Sequence, residues 1–147
     1  MGAACGTPAF PLPLVVSDPF EEAIRGVGVD EQRAVKPAAA EISTEAVGVL
    51  REYTGRGPTK ARTMINEDVV TLLLADTLTK GERRLAESGH AARILELRHD
   101  FQQVMREDLI AIVERHLGRK VIAFMSQNHI DPDLAVEVFV LEPLTAA

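Results

Sequence analysis

The chain has 147 residues, 46% of them hydrophobic, enough for one domain with a proper core and too few for two comfortable ones. Its 16 Lys and Arg stand against 22 Asp and Glu, and the net charge of -6 repels a polyanionic backbone, so nucleic acid is not an expected partner. Cys5 is the only cysteine, which excludes a disulfide framework or a thiolate metal cluster within one chain and fits a reducing cytoplasm.

Residues 1–37 hold five of the eight prolines and show no sustained helical or strand period, so they read as a disordered or weakly structured leader ahead of one domain over 38–147. The opening "MGAACGTPAFPLPLVVS" lacks a positively charged start and is interrupted by Pro8, Pro11 and Pro13, so it does not read as a secretory signal. Within the leader, "SDPFEEAIRGVG" predicts one or two helical turns capped by Ser17 or Asp18 and stopped by Gly26. No apolar run approaches the roughly 18 to 20 residues that span a bilayer, so direct membrane insertion is not expected.

From Pro37 onward, Ile42, Ala46, Val49, Leu50 and Tyr53 recur at helical spacing, and Gly55, Gly57 and Pro58 end the pattern. "KARTMINEDVVTLLLAD" follows as two β-favouring runs around Asn66, Glu67 and Asp68, a β-hairpin whose second arm is apolar on both faces. Thr79 with Glu82 three residues on has the capping-box spacing and predicts a helix that stops near Gly89. Residues 90–117 then carry an amphipathic stripe through Ile94, Leu97, Phe101, Met105, Leu109, Ile112 and Val113, closed by Gly118. At ~1.5 Å per residue that helix is about 40 Å long, so it either kinks or carries an end that reaches a partner.

"KVIAFMS" and "LAVEVFVLE" make a second hairpin, with Leu134, Val136, Val138 and Val140 on one face of the last strand and Ala135, Glu137, Phe139 and Leu141 on the other. The order α-β-β-α-α-β-β predicts an α+β domain, a mainly antiparallel four-stranded sheet packed with about three helices. The strand order is not specified by the pattern.

Two stretches invite chemical readings. "SQNHIDPD" places His129, Asp131 and Asp133 within five residues, ligand types for a divalent metal or an acid-base site. It lacks the glycine and the bidentate Glu of an EF-hand loop and the paired histidines of zinc hydrolases, and its composition is also that of an eight-residue hairpin connection. "TGRGPTK" combines Gly55, Gly57 and Lys60 but leaves a helix and enters a strand, the reverse of a phosphate-binding loop. What it leaves is a basic cluster of Arg51, Arg56, Lys60 and Arg62, in which Gly57 would let the backbone approach a small anion such as bicarbonate or phosphate. No Ser, Cys or Thr lies in a nucleophile elbow, no cofactor motif is present, and aromatics are 4% of the chain, too few for a nucleic-acid stacking surface.

Three blocks taken together, "YTGRGPTKARTMINEDVVTLLL", "LTKGERRLAESG" and "LGRKVIAFMSQNHIDPDLAVEVFVLE", resemble the MpsC-like family of small bacterial proteins over residues 38–142. The resemblance implies association with a cation-translocating system that generates membrane potential and is linked to inorganic-carbon uptake. It supplies no active-site residues. The combined expectation is a cytoplasmic, non-enzymatic accessory or regulatory protein, a homo-oligomer with a membrane-system protein as partner. A small metal-dependent enzyme using His129, Asp131 and Asp133 is the alternative. For the oligomer, Val69, Leu73, Phe139 and Leu141 are expected on an apolar sheet face away from the helices, unless the first helix seals that face.

Overall fold

The computed structural model describes residues 32–144. The expected short helix in "SDPFEEAIRGVG" lies outside the described residues, as does most of the leader.

Helix α1 spans Gln32–Thr54, with Pro37 inside it. Ile42, Ala46 and Leu50, four residues apart, form its buried stripe. Gly55 ends it at φ 78°, a left-handed geometry that costs glycine nothing, and its N–H donates to the Arg51 carbonyl at 2.9 Å. Strands β1 (Lys60–Asn66) and β2 (Val69–Ala75) pair antiparallel around the expected turn. Next, α2 (Lys80–Leu85) starts with the reciprocal Thr79 and Glu82 capping box, and the chain breaks at Ser88 and Gly89 before α3 (Ala91–Leu117). Because α2 is six residues long and leads through this single break into α3, the described residues hold two long helices rather than three comparable ones. Gly118, at φ 63°, closes α3, and β3 (Val121–His129) and β4 (Leu134–Leu141) complete the chain.

The four strands form one antiparallel sheet in the order β1-β2-β4-β3. Each hairpin keeps its own pairing, and the two join through the central strands, with Leu72 opposite Glu137 and Thr71 opposite Val138. Both long helices pack on the same side of it. Ile42, Ala46 and Leu50 of α1 share one core with Met105, Leu109, Ile112 and Val113 of α3 and with Val70, Leu72, Leu74, Phe139 and Leu141 of the sheet. Each large apolar side chain so buried contributes roughly 1.5–3 kcal/mol, so this layer carries the stability of the domain.

The structure corrects one expectation, the outward placement of Phe139 and Leu141, and removes the alternative to it, a first helix lying over the outer face. Phe139 and Leu141 are each 1% exposed and face the helices, because β4 turns its Glu137 side inward and its valine side outward. The first helix does not seal the outer sheet face, since its apolar stripe is already committed to the common core.

Candidate functional site

Among the described residues, the most densely connected polar region lies where the loops after α1, β2 and β3 meet the start of α2. Asp133, just ahead of β4, accepts at Oδ1 from the Thr77 N–H at 3.1 Å and from the Thr77 hydroxyl at 2.9 Å. Its Oδ2 accepts from the Leu78 N–H at 3.0 Å and from Arg83 at 3.3 Å. Asp133 thereby fastens the second hairpin to the loop that follows β2.

Arg56 approaches the same loop from the end of α1. It donates to the carbonyls of Asp76 (3.0 Å) and Leu78 (2.6 Å) and pairs with the Asp76 carboxylate at 2.7 Å. That hydrogen bond holds the Asp76 carboxyl below the usual range, with Thr59 and Arg83 adding to it. Beneath them Arg98 of α3 reaches Glu82 at 2.6 Å and 2.9 Å and the Thr77 carbonyl at 2.6 Å. The Arg98 side chain is 4% exposed and that of Glu82 9%. Burial pushes the Glu82 carboxyl up, but Arg98 and the Thr79 N–H outweigh it and the net shift is downward. Glu82 therefore serves as capping residue and as counter-ion at once.

A cleft of about 470 Å³ beside this network is lined by Arg56, Asp76, Lys80, Arg83, Arg84 and Glu87. Carboxylates thus share its wall with the cations, and Arg56 and Arg83 are both paired with Asp76.

The residues expected from sequence are only partly brought together. Arg56 and Asp133 meet at this corner. Arg51 lies over Gly57, where an added Cβ would stand 3.1 Å from Val47 Cγ1 and 3.3 Å from Arg51 Nε, a close approach that a larger residue would meet only by shifting those side chains. Arg62 lines a separate groove between α1 and β1 with Ser43 and Met64. Lys60 begins β1, opposite Ala75. In the second hairpin, His129 Nδ1 lies 2.7 Å from the Pro132 carbonyl and Asp131 is exposed, while Asp133 is turned to the β2 loop. Among the described residues, no three His, Cys, Asp or Glu side chains come together to hold a metal.

Arg98, Gln102 and Glu137 did not stand out in the sequence. Glu137 is 1% exposed in the middle of β4, with Gln102 Nε2 of α3 at 3.5 Å from its Oε1 and Ser126 directly opposite it on β3. Burial pushes its carboxyl up to about 7, partly offset by the Ser126 hydroxyl and the Gln102 amide. Its Oε2 and the Ser126 Oγ are both buried without a formed hydrogen bond. The signal that could have found Arg98 and Gln102 is spacing, because positions 94, 98, 102, 105 and 109 form one uninterrupted helical stripe.

A two-layer α+β domain whose polar corner cross-links its own loops is the class that fold and geometry define. A family model described as "Na+-translocating membrane potential-generating system (MpsC)" matches residues 36–143, and the chain belongs to that family. No curated protein and no solved structure matches it. No helix among the described residues is long and apolar enough to cross a membrane.

Proposed function

We propose that this protein is a cytoplasmic, non-enzymatic accessory protein of a Na+-translocating, membrane-potential-generating system, and that it acts through protein contacts. The observation that carries this reading is how the side chains are spent. The charged residues of the polar corner hold its loops to one another. The outer sheet face, by contrast, presents valines, leucine and methionine to the surroundings. A surface of that composition serves association better than chemistry.

The test is genetic and physiological. In cells lacking this protein, Na+-dependent membrane potential is expected to fall, to be restored by the wild-type chain, and to remain low with a chain carrying Val136→Lys and Val138→Lys. An unchanged Na+-dependent potential in the deletion strain would overturn the reading.

A further inference from the structure

We infer that the outer face of the sheet docks a second copy of this chain, face to face, so that two four-stranded sheets enclose a second apolar layer. This rests on the reading of that face as an association surface and names its first occupant.

Register and burial establish what the face is made of. Cross-strand partners share a side of the sheet, so Met64, Thr71, Val138 and Met125 form one row, and Arg62, Leu73, Val136 and Gln127 form the next. Met64, Leu73 and Leu134 pack together around Ala75 on this side, separately from the main core. Val136, Val138 and Val140 are half-buried by their neighbours alone, while Val69 is 40% exposed and Met125 54%.

The polar residues of this face stand on the edge strands, Lys60, Arg62 and Asn66 on β1 and Gln127 and His129 on β3, where Met64 and Met125 also lie, and the side chains between them on β2 and β4 are apolar except Thr71. An apolar centre with its polar residues at the border is the composition of a protein interface. No paired position on this face is an Asp or Glu, although the whole chain carries 22 of them, so stacking two copies brings no carboxylates together.

With strands ~4.8 Å apart and ~3.4 Å per residue, four strands of about eight residues present on the order of 500 Å² per copy, so full overlap of two faces covers roughly 1,000 Å², the lower bound for a specific interface. Identical sheets stack face to face about a two-fold axis lying between them, which sets the central Val136 and Val138 against the apolar rows of the other copy.

The test is light scattering coupled to size exclusion on the purified full chain at micromolar concentration. The wild type is expected at twice the chain mass. Val138→Lys is expected at the single chain mass with an unchanged far-ultraviolet circular dichroism spectrum. Val104→Lys, at a residue 62% exposed on α3, is expected to stay at double mass. If Val138→Lys fails to fold, Met125→Lys at the exposed edge decides, with single mass supporting the inference and double mass defeating it. A wild-type monomer also defeats it, and so does a dimer released by Val104→Lys but not by Val138→Lys. A single-mass chain that sediments with phosphatidylserine vesicles would reassign the face to a membrane surface. A wild-type monomer together with a lost Na+-dependent potential in the deletion strain would remove the dimer while leaving the accessory role standing.

Discussion

Arg98 and Glu82 meet at 2.6 Å where both side chains are almost withdrawn from water, and Glu82 also accepts the Thr79 N–H at 2.7 Å. Removing one member of such a pair leaves the other charged, buried and unpaired. Arg98→Met is expected to lower unfolding free energy by roughly 3–5 kcal/mol, measured by chemical denaturation. Adding Glu82→Leu should recover part of that loss, because no buried charge then remains, while the capping contact stays lost.

Glu137 gives the stability a pH dependence of definite sign. Its carboxyl is raised from 4.5 to about 7 by burial, so between those values the folded chain holds a proton that the unfolded chain releases. Stability is therefore greatest from this group below the lower value and falls as pH rises through the higher one, by about 3 kcal/mol at ~1.4 kcal/mol per pH unit. Glu137→Gln should flatten this decline in urea melts taken between pH 5 and pH 8. Asp76 and Glu82, whose carboxyls are lowered, contribute in the opposite sense and lose their stabilisation on acidification.

Asp133→Ala should be costly and Asp131→Ala nearly silent, although the two residues are separated only by Pro132. The first leaves the Thr77 N–H and hydroxyl and the Leu78 N–H without their acceptor, and Thr77 is 2% exposed. A loss of roughly 2–4 kcal/mol is expected for it, against less than about 0.5 kcal/mol for the exposed Asp131. Thermal melts of the two variants side by side provide the comparison.

Gly118 holds φ 63° at the end of α3, where its N–H donates to the Glu114 carbonyl at 2.8 Å. Nothing would collide with an added Cβ, so the cost of Gly118→Ala is conformational. It should be about 1 kcal/mol in equilibrium unfolding, with no change in the spectrum of the folded state.

How far the sequence could be read differs from element to element. The capping box at Thr79 and the hairpin turn at Glu67 were legible because each depends on neighbours in the chain. The β2–β4 pairing was not, since it runs from Val69 opposite Val140 to Ala75 opposite Leu134, far apart in the chain, and no local pattern specifies it. The alternation in β4 revealed two faces but not which one meets the helices. Glu137 makes the truly buried face look the more polar, which explains the misplacement of Phe139 and Leu141. At the polar corner, Arg56 and Asp133 stand out in the sequence for their chemistry. The residues that complete the network, Thr77, Glu82 and Arg98, come from three other segments, and only the fold brings them together.

Strand β3 closes one side of the sheet, and its pairing with β4 slips between Val121 and Ala123, leaving Ile122 as an extra residue that is 59% exposed. A straight outermost strand would offer an unbroken template on which further chains could zip into fibrils. The bulge at Ile122 spoils that template over the first third of the strand, and Lys60 and Arg62 guard the opposite border with charge. Deleting Ile122 would straighten the ladder and should appear as faster growth of thioflavin-positive aggregates. The irregular residue thus blunts growth at this border without touching the valine surface of β4.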